Sequence, residues 1–233
     1  MLPVDNRVVM ISGASRGIGA AIAERLLADG FRVSLGLRSA SRSSLAQSDA
    51  CLHTHYDATE PDSHRPWVAE TVARFGRIDA IVNNAGISRP FSVEDGDEQA
   101  LDAMWLVNVK APIRVVREAL PYLKQSGVGR VVQVASLSGK RVVRHNHGYA
   151  MTKFAAVALA HSVRRMGWEH GIRATALCPG MVNTDMTAWF KDGDRSNLTQ
   201  PEDLAAAVAF LLRLPNSASI AELLVNYRFE DTV

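Results

Sequence analysis

Near the N-terminus the chain carries the glycine-rich segment Ser12-Gly13-Ala14-Ser15-Arg16-Gly17-Ile18-Gly19. It follows an apolar run, residues 7–12, and opens an amphipathic stretch, residues 18–29, so it is predicted to join a strand to a helix. Glycines allow a tight turn and a close approach of the backbone to a phosphate, whose charge the N-terminal end of the helix stabilises. A capping turn without a ligand is the alternative for a glycine triplet taken alone. The strand, turn and helix together favour a pyrophosphate-binding turn.

The rest of the chain repeats this alternation of apolar runs and amphipathic stretches. Predicted strands occupy residues 7–12, 32–37, 51–56, 80–83, 128–135, 173–178 and 219–226. Predicted helices occupy residues 18–29, 63–75, 97–123, 149–169 and 201–212. Strands that are continuously rich in Val and Ile, separated by helices, are typical of a parallel sheet buried on both faces. We therefore expect an α/β protein: one doubly wound Rossmann-fold domain over residues 1–233, with a seven-stranded parallel sheet and helices on both faces.

The composition excludes several other classes of protein. The 233 residues are 47% hydrophobic and 21% charged, which is ordinary for a globular protein, and the net charge of +2 argues against a nucleic-acid binder. No apolar run is long enough to cross a membrane, and the N-terminus does not resemble a secretory signal. Two cysteines without a C-x-x-C motif support neither a disulfide framework nor a thiolate zinc site. We expect a cytoplasmic protein that binds neither nucleic acid nor membrane.

Histidine positions predict no metal site. His53 and His55 alternate on a predicted strand, and His145 and His147 lie in the loop that precedes Tyr149. Two histidines can contribute to a metal site, but neither pair has an evident third ligand, so polar roles on the strand and in the loop are the preferred interpretation.

Further short motifs follow the later strands in order. They are Asp57 after strand three, Asn83-Asn84-Ala85-Gly86 after strand four, Asn108 in the long helix, Ser136 after strand five, Tyr149-x-x-x-Lys153, and Pro179-Gly180 after strand six. With the G-x-x-x-G-x-G spacing of residues 13–19, this set resembles the short-chain dehydrogenase/reductase family over nearly the full chain. Each motif alone can arise by chance, whereas seven in order form a specific signal.

Tyr149 and Lys153 are the core of the predicted reaction centre. They lie four residues apart, on one face of a predicted helix, and a nearby ammonium favours the phenolate form of a tyrosine. Ser136 can donate a hydrogen bond to a substrate oxygen. The resemblance implies that Lys153 also binds the nicotinamide ribose and that Asn108 holds a water that relays protons to it. The predicted catalytic residues are Asn108, Ser136, Tyr149 and Lys153.

The end of the second predicted strand bears on the choice of cofactor. A carboxylate there would bind the adenosine ribose hydroxyls, but this chain has Leu37 followed by Arg38. A guanidinium can pair with a 2′-phosphate, and Arg16 can supply a second positive group. The resemblance therefore implies NADP(H) as the preferred cofactor, with NAD(H) as a second option. The alternative is that both arginines are merely solvated. The implied cofactor site consists of Gly13, Ser15, Arg16, Gly17, Ile18, Gly19, Arg38, Asp57, Asn84, Ala85, Gly86, Tyr149, Lys153, Pro179, Gly180, Val182 and Thr184.

Two short connections depart from the family's usual pattern. Only 12 residues separate Arg38 from Cys51, where a full helix is common, so the adenine side is expected to be uncovered. The substrate-covering loop, about residues 181–200, is also short, which predicts an open or mobile mouth. Its apolar side chains suit an apolar or aromatic substrate, although a core or oligomer contact explains them equally well. These side chains are Met181, Met186, Trp189 and Phe190.

A basic segment surrounds the predicted reaction centre. Residues 119–168 contain eight lysines and arginines and no acidic residue. Within it, Lys140, Arg141 and Arg144 are candidates to attract an anionic substrate or an acyl carrier protein, a solvated loop being the simpler interpretation.

The leading hypothesis for function is an NADPH-dependent reductase of a small-molecule ketone, aldehyde or 3-oxoacyl group, working equally as an alcohol dehydrogenase. Epimerase or lyase chemistry on the same scaffold and a non-catalytic NADP(H)-binding sensor are the alternatives. The resemblance implies a homodimer or homotetramer formed through the long helices, residues 97–123 and 149–169.

Overall fold

A single parallel sheet organises the protein. The computed structural model describes residues 1–39, 43–143, 146–190 and 194–230. The strands are β1 (Val8–Ser12), β2 (Arg32–Leu37), β3 (Cys51–His55), β4 (Ala80–Asn83), β5 (Arg130–Val134), β6 (Arg173–Pro179) and β7 (Glu222–Val225). Their order is β3-β2-β1-β4-β5-β6-β7, which confirms the predicted doubly wound fold. The strand order reverses between β1 and β4, and in such sheets a crevice for ligands opens at the carboxyl ends of those strands.

Helices cover both faces of this sheet. They are α1 (Gly17–Ala28), α2 (His64–Phe75), α3 (Glu98–Trp105), α4 (Ala111–Ser126), α5 (His147–Gly167) and α6 (Pro201–Arg213). Successive strand residues point to opposite faces. Val9 and Ile11 of β1 accordingly pack in the core formed with α1 and α6, whereas Met10 packs in the core formed with α2 and α4. None of the described helices is long and apolar enough to span a membrane.

Two predicted helices need correction. The helix expected over residues 97–123 is α3 and α4 joined by a π-helical segment, Leu106–Lys110, and it continues to Ser126. It ends where Gly127 adopts a left-handed conformation, with φ of 66°. The helix expected to begin at Tyr149 begins at His147, because the side chain of Asn146 accepts a hydrogen bond from the backbone N–H of Tyr149 at 3.3 Å.

A buried carboxylate ties the start of β4 to β1. Asp79 is fully buried and accepts hydrogen bonds from the backbone N–H of Val8 at 2.9 Å and from Ser126 Oγ at 2.7 Å. Arg77 donates two more, at 2.8 and 2.7 Å. Burial alone would raise the pKa of Asp79, but these hydrogen bonds hold it below its ordinary value. The carboxylate therefore stays ionised and fixes the register of the two central strands.

Candidate active site

Three glycines, Gly13, Gly17 and Gly19, shape the turn between β1 and α1, which is called the glycine cradle below. Gly13 and Gly17 have φ values of 66° and 55°, a region that favours glycine. A Cβ on Gly13 would lie 2.9 Å from Ala85 Cα, and a Cβ on Gly19 would collide with the carbonyl oxygen of Gly13 and with Asn84 Nδ2. The three glycines are thus required by the backbone or by its close packing.

The segment after β4 is hydrogen-bonded to this turn. Asn84 Nδ2 donates to the carbonyl oxygens of Ser12, at 3.0 Å, and Gly13, at 3.1 Å. Ser12 Oγ accepts from the backbone N–H groups of Asn84 and Ala85, both at 3.0 Å. These hydrogen bonds join the carboxyl ends of β1 and β4 at the base of the crevice.

Asn108 lies in the π-helical segment between α3 and α4. Its Oδ1 accepts from the N–H of Ile87 at 2.9 Å, and its Nδ2 donates to the carbonyl oxygen of Ile87 at 2.9 Å and to Thr152 Oγ1 at 3.0 Å. A Cβ placed on Gly86 would lie 3.3 Å from Asn108 Oδ1 and 3.6 Å from Lys153 Nζ. Gly86, the side-chain amide of Asn108 and the ammonium of Lys153 therefore lie close to one another.

Lys153 is a buried cation on α5. Lys153 is only 5% exposed, and its Nζ donates a hydrogen bond to the carbonyl oxygen of Val134 at 2.9 Å. Burial lowers the pKa of the ammonium to about 8, although the thiol of Cys178 acts in the opposite direction. Nζ lies 5.5 Å from the centroid of the Tyr149 ring, as their spacing on one helix face predicts.

Ser136 and Tyr149 meet beside this lysine. Burial raises the pKa of Tyr149 to about 12, and a hydrogen bond with Ser136 opposes that rise. Ser136 follows β5, accepts from the N–H of Ser138 at 3.1 Å and donates a long hydrogen bond, 3.4 Å, to the carbonyl oxygen of Pro179. At neutral pH Tyr149 is therefore a protonated phenol. It faces the hydroxyl of Ser136, whose long hydrogen bond to Pro179 is readily exchanged for another.

The two predicted arginines lie on different parts of the crevice rim. Arg38 directly follows β2 and is exposed, and its charge contributes to the lowered pKa of Asp57. The carboxylate of Asp57, whose pKa burial would otherwise raise, accepts from the N–H and hydroxyl of Thr59 at 2.8 and 2.7 Å. Arg16 forms an ion pair with Asp185, Nη1 to Oδ2, at 2.8 Å.

The described part of the covering loop is held in place by hydrogen bonds. Val182 is buried and forms a β-bridge with Thr199. Arg195 donates to Asn183 Oδ1 and to the carbonyl oxygens of Thr184 and Thr187, each at 2.8 Å. These contacts connect residues 182–187 of the loop to Arg195 and Thr199. Residues 191–193 of the loop lie outside the described residues.

The side chains that were expected to line the mouth are exposed or half-buried. Met186 and Trp189 are exposed, and Phe190 is half-buried against the edge of the Trp189 ring. Asp185 and Arg195 are contributors to this region that sequence reasoning missed. Asp185 pairs with Arg16, 169 residues away, and Arg195 binds groups up to 12 residues away. No local sequence pattern indicates either contact.

The basic segment after Ser136 has counter-charges of its own. Lys140 Nζ lies 2.7 Å from Glu222 Oε2, and the guanidinium of Arg141 pairs with Glu230. Their interpretation as anion-attracting side chains therefore loses its basis, because a carboxylate already faces each of them. Arg144 lies outside the described residues.

In the part of the chain that is described, one histidine of each pair has a polar partner, whereas His53 Nε2 is buried without a hydrogen-bond partner. His55 pairs with Glu60 at 3.3 Å, and His147 Nδ1 accepts from the N–H of Val93 at 3.2 Å. Over residues 1–39, 43–143, 146–190 and 194–230, no group of three or more His, Cys, Asp or Glu side chains is arranged to hold a metal ion. His145 lies outside these residues.

The doubly wound sheet, the glycine cradle and the cluster of serine, tyrosine and lysine together form a candidate dinucleotide-binding and reaction site. The chain belongs to the short-chain dehydrogenase/reductase family, because the family model described as short chain dehydrogenase matches residues 7–194.

Individual relatives differ in the activities and cofactors for which they are named. An agropine synthesis reductase of Rhizobium rhizogenes is 42% identical over 217 residues, which cover 91% of this chain but only 50% of that relative, so the chain spans about half its length. The structure of an alcohol dehydrogenase of the archaeon Thermococcus sibiricus, complexed with 5-hydroxy-NADP, is 29% identical, with a TM-score of 0.85 and coverage of 97% of this chain and 99% of the other. A 3-ketoacyl-(acyl-carrier-protein) reductase of Brucella melitensis, complexed with NADH, is 26% identical, with a TM-score of 0.87 and coverage of 96% and 97%.

Proposed function

We propose that this protein is an NADPH-dependent carbonyl reductase, able to run in reverse as an alcohol dehydrogenase. One observation carries the proposal: Ser136, Tyr149 and Lys153 converge beside the glycine cradle at the carboxyl end of the sheet. The substrate is a small ketone, aldehyde or 3-oxoacyl compound.

Tyr149 acts as the general acid in the direction of reduction. Its raised pKa keeps the phenol protonated at neutral pH, so it can give its proton to the carbonyl oxygen of the substrate as negative charge develops there. Ser136 Oγ exchanges its long hydrogen bond to Pro179 for one to the same oxygen. In the reverse direction Tyr149 must first lose its proton, which the positive charge of Lys153 favours.

The cradle fits a nicotinamide dinucleotide. Because Gly13 and Gly19 carry no Cβ, the turn packs directly against Asn84 and Ala85, and a Cβ added to Gly86 would lie 3.6 Å from Lys153 Nζ. When bound, the cofactor supplies or accepts the hydride. Lys153 would bind the nicotinamide ribose, and Asn108 would hold the proton-relay water. Thr184 and Val182 would close over the nicotinamide side, and Asp57 would contact the adenine.

NADP(H) is the preferred cofactor in this proposal. Arg38 stands after β2, where a carboxylate would disfavour a 2′-phosphate, and Arg16 is the second available cation. The Thermococcus and Brucella structures hold an NADP derivative and NADH respectively, so relatives of this fold use both forms. Initial rates at matched concentrations of NADPH and NADH test the preference, and a higher kcat/KM with NADH would refute it.

The proposal extends to the domain organisation, the oligomeric state and the localisation of the protein. We infer one nucleotide-binding domain over residues 1–233, with residues 181–200 as its substrate cover. Exposed Trp105, Met151 and Phe154 on the long helices favour a homodimer or homotetramer, which sedimentation velocity tests. Buried free thiols at Cys51 and Cys178 suit a reducing cytoplasm.

A substrate panel with a tyrosine variant tests the activity. NADPH absorbance is followed with ketones, aldehydes, quinones and 3-oxoacyl thioesters. Tyr149→Phe keeps the ring but loses the proton, so kcat should fall by about 10²- to 10⁴-fold while NADPH still binds. Tyr122→Phe, on α4 and remote from the cluster, is the matched control. Product formation without NADPH consumption would indicate epimerase or lyase chemistry, and binding without any turnover would indicate a sensor.

A further inference from the structure

An ion pair bridges the two rims of the cofactor crevice. Arg16 belongs to the glycine turn and Asp185 to the covering loop, 169 residues away, and their charged groups lie 2.8 Å apart. The rims are close there, because a Cβ on Gly17 would lie 3.2 Å from Thr184 Cγ2. The side chains of Arg16 and Asp185 are 68% and 72% exposed, so either can exchange partners without leaving water.

The aspartate is the more firmly held of the two partners. Asp185 begins a short 3₁₀ helix, Asp185–Thr187. Arg195 donates hydrogen bonds to the carbonyl oxygens of Thr184, which precedes this helix, and of Thr187, which ends it. Thr187 Oγ1 further donates to the carbonyl oxygen of Val182 at 2.6 Å. The backbone of Asp185 is thus fixed, whereas Arg16 has a long side chain that can swing away from it.

We propose that Asp185 is a specificity-determining residue that competes with the adenosine 2′-phosphate of NADPH for Arg16. This inference rests on the proposed function, in which Arg16 helps to bind that phosphate. The guanidinium then has two alternative anionic partners, so the fraction of molecules in which Asp185 holds Arg16 reduces the apparent affinity for NADPH. NADH carries no 2′-phosphate, and it binds without releasing Arg16 from Asp185. Asp185 therefore narrows the preference for NADPH over NADH.

The expected size of the effect is modest. Exposed ion pairs contribute little in water, because the charges are well solvated when apart. Releasing Arg16 should therefore strengthen NADPH binding by about two- to fivefold, a range that corresponds to the measured strength of such pairs. High salt should reduce the effect, because it screens exposed charges.

The test compares both cofactors in three variants. Asp185→Asn keeps the size of the side chain and removes the charge, and it should lower the KM for NADPH by about two- to fivefold while the KM for NADH stays unchanged. The double variant Arg16→Gln/Asp185→Asn should lose that gain. Glu202→Gln is the matched control, since Glu202 lines the same surface pocket as Arg16 and Asp185 but is not the carboxylate that Arg16 contacts.

Two results would overturn the inference. An equal change in the KM values for NADPH and NADH would mean that the Arg16–Asp185 ion pair affects the binding of both cofactors alike and does not determine specificity. A gain for NADPH that persists in the double variant would place the effect elsewhere than at Arg16.

Calorimetry with adenosine 2′,5′-bisphosphate and with AMP separates this inference from the proposed function, because it needs no turnover and no nicotinamide. If the enzyme reduces no carbonyl or prefers NADH, the proposed function fails. Tighter binding of the bisphosphate alone in Asp185→Asn still supports the inference, and unchanged binding still overturns it.

Discussion

Replacing Lys153 by methionine should stabilise the protein while it abolishes catalysis. The ammonium is buried, and burial lowers its pKa from 10.5 to about 8. An unfolded chain therefore binds the proton more tightly than the folded one does, so the charged lysine destabilises the fold at neutral pH. From the two pKa values the penalty is about 3 kcal/mol at pH 7. The lost hydrogen bond to the carbonyl oxygen of Val134 offsets about 1 kcal/mol of the gain. The net expectation for Lys153→Met is a gain of about 2 kcal/mol.

The pH dependence gives this prediction a second, independent signature. Because the folded pKa lies below the unfolded one, the penalty is complete below about pH 8 and disappears as the pH rises toward about 10.5, where the unfolded lysine also loses its proton. At about pH 9.5 the penalty should have fallen to about half of its value at pH 7. The stability difference between Lys153→Met and the unmodified protein should therefore shrink across this range.

Urea unfolding of cofactor-free protein, followed by circular dichroism, measures both quantities. Lys110→Met, at an exposed position in the π-helical segment, controls for the loss of a positive charge and should change stability by no more than about 0.5 kcal/mol. If Lys153→Met is destabilised at pH 7, or if its stability difference does not change with pH, the lysine is not a buried unpaired cation and the reasoning fails.

Two further substitutions test the cradle and the strand anchor. Gly19→Ala would place a methyl group against Asn84 Nδ2, so we expect at least about tenfold weaker NADPH binding in a fluorescence titration, with little change in kcat at saturating cofactor. Asp79→Asn should lower the unfolding free energy by about 2 to 3 kcal/mol at pH 7, because the hydrogen bonds from Arg77 and Ser126 favour the ionised form. The depressed pKa of Asp79 means that this difference should shrink as the pH falls below about 4, and a constant difference would contradict it.

The sequence predicted the sheet and the proximity of Tyr149 to Lys153 because both depend on local patterns. Continuous apolar runs identified each of the seven strands, with errors only at the ends: the last strand is Glu222–Val225 rather than residues 219–226. Tyr149 and Lys153 share a helix face, so their proximity follows from helical geometry alone. Ser136 and Asn84 follow adjacent central strands, and the carboxyl ends of parallel strands meet at one edge of the sheet.

The remaining features depend on contacts between distant residues, which no local pattern encodes. The π-helical segment at Leu106–Lys110 lies within an uninterrupted helical pattern of apolar residues, and the hydrogen bonds of Asn108 to Ile87 and Thr152 are the tertiary contacts seen there. The pairing of Lys140 with Glu222 joins residues 82 positions apart. Charge counting along the chain therefore found the basic segment but could not find its counter-charges.

The polar groups of the site are oriented by backbone atoms rather than by opposite charges. Asn108 is held by both backbone groups of Ile87, and Lys153 is held by the carbonyl oxygen of Val134 at the end of β5. Within the described residues, Lys153 forms no ion pair with a carboxylate. A carboxylate partner would remove most of the burial penalty, but it would also neutralise the positive field that favours the phenolate of Tyr149. In the proposed mechanism, the lack of a carboxylate partner thus has two effects: it makes the burial of Lys153 energetically costly, and it leaves the positive charge free to act on Tyr149.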